Sequence, residues 1–272
     1  MIRTIFLLPS VLACIHTAYA HRLAFKPLEF ELGKSKCFLL EGNATGEGKP
    51  WVWYAPTLPR HPDPSHTWYV DRLLAKGVSL AGCDQGEVRG SPKSVEVFTK
   101  FYHEMVRRGY SKKPVLLGQS RGGLMMLSWA VENPDRVGGF AGIYPVLNLR
   151  SWPMKRNLGP TLADFGMDRD TFSAVVDQHN PINHLAGLAK AKVPICIVHG
   201  DSDRVVPLEE NSAIIPREQL YQMYVKATGK DHGFLYCDLM QSDPAKMFYA
   251  SVNARLVPNQ LTNSSGSAEG IE

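Results

Sequence analysis

Pro114-Val115-Leu116-Leu117-Gly118-Gln119-Ser120-Arg121-Gly122-Gly123-Leu124-Met125-Met126-Leu127-Ser128-Trp129-Ala130 is the stretch on which the fold turns. It opens with a short apolar run, closes with a longer one free of glycine and proline, and sets a serine among glycines between them. That order predicts a buried strand that breaks at Gly118, a sharp turn carrying Ser120, and a helix. The glycines have a physical reason. A turn this tight strains the serine backbone, and a side chain at Gly118 or Gly122 would strike the neighbouring strand or helix. A Gly-x-Ser-x-Gly string is common in loops, and a serine there is often a plain helix N-cap. Between a strand and a helix it reads instead as a nucleophile elbow.

A serine hydroxyl is a poor nucleophile at neutral pH and needs a base, which in turn needs an orienting acid. Downstream lies the apolar run Val193-Pro194-Ile195-Cys196-Ile197-Val198, then His199-Gly200-Asp201-Ser202-Asp203-Arg204-Val205-Val206-Pro207. A third segment, Gln222-Met223-Tyr224-Val225-Lys226, precedes Gly229-Lys230-Asp231-His232-Gly233-Phe234. Serine, aspartate and histidine thus follow strand-like runs in that order, spaced by 203 − 120 = 83 and 232 − 203 = 29 residues. Asp201 follows its glycine directly and reads as a turn residue, so Asp203 is the better acid. Of the 9 histidines, His199 ends a strand and reads as packing beneath the site, and His179 and His184 have no acid suitably placed. His232, flanked by Gly229 and Gly233, is the better base.

On these residues the chain resembles the α/β-hydrolases, in particular the prolyl-oligopeptidase-like and dienelactone-hydrolase-like branch of secreted esterases and peptidases. The resemblance covers most of the chain beyond residue 20. It implies an α/β fold with a mostly parallel central sheet, helices on both faces and a small cap. It also implies Ser120 as nucleophile, His232 as base, and Asp203 as the acid of the pattern H-G-x-x-D-x-x-V-P, with the backbone N–H of Arg121 as one oxyanion donor. The loop that supplies the second donor departs from the family. Trp51-Val52-Trp53-Tyr54-Ala55-Pro56 lacks the usual His-Gly, and Pro56 has no N–H. Prolyl-oligopeptidase-like enzymes can use a tyrosine hydroxyl here, which makes Tyr54 a candidate; the alternative is that Trp51, Trp53 and Tyr54 are core aromatics of a strand. Arg121 also gives the elbow a likeness to that of glucuronoyl esterases, which implies a carbohydrate-linked ester, although Gly123 stands where that pattern has a basic residue. A helix-surface arginine is the other reading. In dienelactone-hydrolase-like relatives a glutamate in this loop contacts the nucleophile's surroundings, which implies that Glu87, in Asp84-Gln85-Gly86-Glu87-Val88-Arg89-Gly90-Ser91, orients the elbow or binds substrate; the other reading is a turn held by Asp84 and Ser91.

The rest of the sequence sets the frame. Strand-like runs at Cys37-Leu40, Trp51-Ala55, Val78-Cys83, Val115-Leu117, Gly138-Tyr144, Ile195-Val198 and Gln222-Val225 alternate with helical stretches, which argues a mostly parallel sheet covered on both faces. Arg3, an apolar run over residues 5–15 and Ala18-Tyr19-Ala20 read as a signal peptide over residues 1–20, cleaved before His21, in preference to lipoprotein processing at Cys14. Export places the protein outside the cell or in a periplasm. Residues 21–258 form the hydrolase domain, with a cap over residues 148–190, and residues 259–272 read as a disordered tail. The formal net charge of +4 is spread along the chain, so nucleic acid is not an expected partner. No apolar run is long enough for a membrane span. Neither a C-x-x-C nor an H-E-x-x-H spacing occurs, so no metal and no cofactor is expected. Cys37, Cys83, Cys196 and Cys237 remain after signal removal and allow three pairings; Cys83 and Cys196 read as buried free thiols. The expected activity is hydrolysis of a small-molecule or saccharide-linked carboxylic ester through an acyl-enzyme. The alternatives are a prolyl-oligopeptidase-type exopeptidase and a non-catalytic binding module.

Overall fold

The computed structural model describes residues 26–57, 62, 66–215 and 221–227. Residues 1–20, read above as a signal peptide, His232, Cys237 and residues 259–272 lie outside the described residues. Eight strands form one sheet in the order β1-β2-β4-β3-β5-β6-β7-β8. They are β1 (Leu28–Leu32), β2 (Ser35–Leu40), β3 (Trp51–Ala55), β4 (Ser79–Cys83), β5 (Val115–Gln119), β6 (Gly139–Ile143), β7 (Pro194–Gly200) and β8 (Tyr221–Ala227). From β4 to β8 every neighbouring pair is parallel, whereas β1 with β2 and β2 with β4 are antiparallel. This is the mostly parallel sheet that the alternation of strand-like and helical runs predicts, in the α/β-hydrolase arrangement that the resemblance implies.

Two strands differ from the sequence reading. Leu28-Glu29-Phe30-Glu31-Leu32 is an added strand, joined to β2 through a tight turn at Gly33, whose φ of 62° suits a residue without a Cβ. As the edge of the sheet it is largely exposed, which its alternating glutamates allow. The central strand also does not break at Gly118 but runs to Gln119, because Gly118 and Gln119 still pair with Gly142 and Ile143 of β6.

Both faces of the sheet are buried, so successive residues of one strand serve different cores. Trp51, Trp53 and Ala55 of β3 face a layer built by α2 (Pro92–Arg107), α3 (Gly122–Glu132) and α7 (Ala186–Lys190). Val52 and Tyr54 face the layer built by α1 (Thr67–Ala75). Trp53 is the hub of the first layer, with ring centroids 4.9 Å from Trp129, 5.2 Å from Phe101, 5.5 Å from Phe98 and 5.6 Å from Trp51.

The segment between β6 and β7 divides. Its helices α4 (Trp152–Arg156), α5 (Leu158–Phe165) and α6 (Arg169–His179) build a third apolar cluster, in which Phe172 and Val176 meet Leu124, Val146, Leu149 and Val206. Leu185 and Leu188, by contrast, join the main layer beside α3. The part packed apart from the sheet is therefore narrower than residues 148–190. Among the described residues no helix is long and apolar enough to cross a membrane.

Trp53→Ala should lower the unfolding free energy by about 3–5 kcal/mol, since four aromatic partners cannot close the void. Leu28→Ala at the exposed edge should change it by no more than about 0.5 kcal/mol. Denaturant unfolding of both variants checks this.

Candidate active site

Ser120 follows β5 with a φ of 48° and is half-buried. A left-handed backbone costs a non-glycine residue about 1–2 kcal/mol, so its surroundings must hold it there. Three backbone bonds do so: Ser120 N–H donates to Ile143 O at 3.0 Å, and Ser120 O accepts from Gly123 N–H at 2.9 Å and Val146 N–H at 2.8 Å. The glycines make the turn possible by absence of bulk. A Cβ on Gly118 would lie 2.7 Å from Gly123 Cα, and one on Gly123 would lie 2.6 Å from Pro145 Cβ. One on Gly122 would run into the Ala55 carbonyl at the end of β3. Arg121 caps α3, and among the described residues nothing accepts its backbone N–H, which stands at the positive end of the helix dipole.

Asp203 sits past the end of β7 and is 5% exposed. Its Oδ1 accepts from Val205 N–H at 2.9 Å and Val206 N–H at 2.8 Å, which fixes the carboxylate plane. Beneath it lies His199, fully buried, with Nε2 at 2.8 Å from Val206 O and 3.5 Å from Asp203 Oδ2, and Nδ1 at 2.7 Å from Ser212 Oγ. A carbonyl can only accept, so Nε2 carries a proton and donates to Val206 O. His199 is thus a strut for the acid loop. Asp201 is half-buried in the turn and accepts from Ser202 Oγ at 3.2 Å.

Parallel pairing brings these groups to one edge. Ser120 N–H reaches Ile143 O, Tyr144 N–H reaches Val198 O at 2.7 Å, and Gly200 pairs with Ala227 at the end of β8. The chain leaves β8 at that edge, five residues before His232, whose position lies outside the described residues.

Two clusters around Ser120 escaped sequence reasoning. The first is a buried polar network below the elbow. Tyr54 Oη donates to Gln119 Oε1 at 2.9 Å, His66 Nε2 lies 3.1 Å from the same oxygen and 2.9 Å from Tyr54 Oη, and Gln119 Nε2 donates to Tyr144 Oη at 2.6 Å. Tyr54 is 1% exposed and Tyr144 holds a φ of 35°. The tyrosine singled out as an oxyanion donor therefore directs its proton to the side chain next to the nucleophile.

The second cluster is ionic. The Arg121 guanidinium pairs with Glu87, which also lies 3.4 Å from Arg89, and Arg89 in turn pairs with Asp164 of α5. Glu87 thus contacts the elbow, and its loop is a turn with Gly86 N–H bonded to Asp84 Oδ1 at 2.8 Å. Arg89 is 3% exposed, stands 5.7 Å over the Trp152 ring and joins this loop to α5. Burial pushes the Asp164 carboxyl above the usual range, against the pull of Arg89. No motif announces Arg89, Asp164 or Gln119; only a salient arginine in a loop rich in glycine was available as a signal. Among the described residues no group of His, Cys, Asp or Glu is arranged to hold a metal ion.

A family model described as the prolyl oligopeptidase family matches residues 92–241, more than half of the 272-residue chain. No curated protein matches. Among solved structures, a puromycin-hydrolyzing peptidase of Mycobacterium tuberculosis is similar at 14% identity and a TM-score of 0.63, covering 84% of this chain. This chain spans only 39% of that peptidase. Est1E from Butyrivibrio proteoclasticus matches at 15% identity and a TM-score of 0.60, over 85% of this chain and 98% of its own. The esterase Est2 of Thermogutta terrifontis matches at 13% identity and a TM-score of 0.60, over 89% of this chain and 95% of its own. At such identities the likeness concerns the fold.

Gly122→Ala should cost about 1–3 kcal/mol and displace the elbow, because the Ala55 backbone cannot retreat within the sheet. Gly159→Ala in α5, where a Cβ meets nothing within 4 Å, should be neutral or stabilising by up to about 1 kcal/mol. Thermal unfolding of the pair is the measurement.

Proposed function

Because the chain belongs to the prolyl oligopeptidase family of serine hydrolases, we propose that it cleaves carboxylic esters by acyl transfer from Ser120. The observation that carries this reading is the left-handed Ser120 at a strand-to-helix turn. That conformation is costly, and at a strand-to-helix turn it lifts the hydroxyl away from the core. In the proposed reaction His232 removes the hydroxyl proton as Ser120 Oγ attacks the carbonyl, and Asp203 holds the imidazolium that forms. The Arg121 N–H receives the developing oxyanion. His232 then protonates the leaving alcohol, and a water activated by the same base releases the acid. The role of His232 rests on its place in the chain. Tyr54 is proposed to act through Gln119, holding the strand end on which the elbow is built.

The ester reading draws support from Est1E and Est2, each matched over nearly its whole length and each named an esterase. A saccharide-linked ester is the proposed natural class, motivated by Arg121. A second reading, release of an amino acid from an amide, draws on the family name and on the puromycin-hydrolyzing peptidase. Turnover of acyl esters, uronate esters and aminoacyl anilides by the purified protein separates the two: hydrolysis of the anilides alone contradicts the ester assignment.

Ser120→Gly should abolish turnover while raising the thermal midpoint by about 2–4 °C, since glycine relieves about 1 kcal/mol of backbone strain. Most mutations that remove a hydroxyl gain nothing, so a paired gain in stability and loss of activity is diagnostic. Asp203→Asn should lower kcat roughly 10⁴-fold by presenting the base with the wrong hydrogen-bond partner, and Asp201→Asn should leave it within a few-fold. If Asp201→Asn is the inactive variant, the acid assignment is wrong.

Export is part of the proposal. Expressed with residues 1–20 in a secreting host, the protein should be recovered with His21 at its amino terminus, as read by N-terminal sequencing.

A further inference from the structure

Cys37 and Cys83 stand directly opposite each other in the antiparallel pair of β2 and β4. Asp84 N–H donates to Lys36 O at 2.7 Å, a ladder bond that flanks the two cysteines. They therefore occupy a non-hydrogen-bonded position, where paired Cα atoms approach to about 4.5 Å and side chains are closest. A disulfide needs Cα atoms about 4.4–6.8 Å apart. Residues facing each other across a ladder point to the same side, and both cysteines belong to one apolar cluster. In the structure both are buried free thiols, and the neighbouring Cys83 side chain, with burial behind it, pushes the Cys37 thiol far above its ordinary range. Cys196, in β7, faces the opposite core layer and is out of reach.

We propose that Cys37 and Cys83 are joined by a disulfide that staples β2 to β4 in the oxidised protein, an inference whose cellular setting rests on the reading of the chain as exported. The bond forms by exchange with a disulfide oxidant such as glutathione disulfide or a dithiol oxidase. One cysteine thiolate attacks the oxidant and forms a mixed disulfide, and the second displaces the oxidant's remaining thiolate. Two protons and two electrons leave the cysteine pair, and the oxidant's disulfide becomes two thiols. Because both thiols are buried in the folded protein, exchange belongs to folding, before the strands close. The bridge spans 83 − 37 = 46 positions of chain. It also ends one residue before Asp84, where the loop carrying Glu87 and Arg89 begins, so it anchors the base of the segment that contacts the elbow.

The test is peptide mapping of denatured, alkylated and unreduced protein from two sources: material secreted with its signal, and full-length chain refolded from the reduced state in a mixture of reduced and oxidised glutathione. A Cys37–Cys83-linked peptide in both supports the proposal. Free thiols at both positions in the secreted protein overturn the proposal; failure of the chain to leave the cell overturns the export reading alone, and the refolded sample then decides the bridge. Alkylated Cys37 and Cys83 after glutathione refolding overturn the disulfide. Cys37→Ala, Cys83→Ala and the double variant give a second readout by thermal unfolding. A bridge requires all three to fall by the same amount, about 10 °C, because each removes the same bond. Two smaller losses that add in the double variant indicate separate buried thiols and overturn the proposal.

Discussion

The candidate site depends on how closely α3 approaches the end of β3. Gly122 lies against the Ala55 carbonyl with no room for a methyl group, and this contact sets where the helix begins. Between β5 and this helix the chain passes through a left-handed Ser120 and a right-handed Arg121. Ser120 carries that strain, and the bonds from Ser120 to Ile143, Gly123 and Val146 hold it in place. Substituting bulk for glycine anywhere in the turn would release the serine into an ordinary conformation, so the glycine spacing and the strained backbone are one constraint seen from two sides.

That constraint is supported from below and from the flank. Below, Gln119 is gripped by Tyr54 and His66 on one side and Tyr144 on the other. A fully satisfied buried network resists displacement because breaking one bond leaves a polar group without solvent. On the flank, the chain of charges from Arg121 through Glu87 and Arg89 to Asp164 ties the elbow to the loop after β4 and to α5. These pairs are partly screened at Glu87 and Arg121 and buried at Arg89. Their value lies in fixing relative position more than in net stability.

The local geometry was legible in the sequence because it is written in neighbours. Val115 to Ala130 encodes strand, turn and helix within one stretch, and the pattern from His199 to Pro207 encodes an acid loop whose Asp203 is bonded by its own downstream N–H groups. β1 was not read from the sequence, although Leu28-Glu29-Phe30-Glu31-Leu32 alternates before a glycine turn; as an exposed edge strand it carries too little apolar surface to stand out. What sequence could not show is pairing across long separations. Nothing in residues 54, 66, 119 and 144 says that they meet, and Arg89 and Asp164 are 75 positions apart. The end of β5 was misplaced for the same reason: Gly118 looks like a break in isolation, yet β6 supplies the partners that keep it in the sheet.

The central claim is that Ser120 is the reacting atom's bearer, and covalent capture tests it most directly. A fluorophosphonate incubated with the folded protein should attach to Ser120 alone, as read by peptide mass spectrometry, with ester hydrolysis lost in proportion to labelling and no labelling after denaturation. Full ester hydrolysis in protein whose Ser120 remains unlabelled, or labelling of a different serine that abolishes activity, would contradict the account.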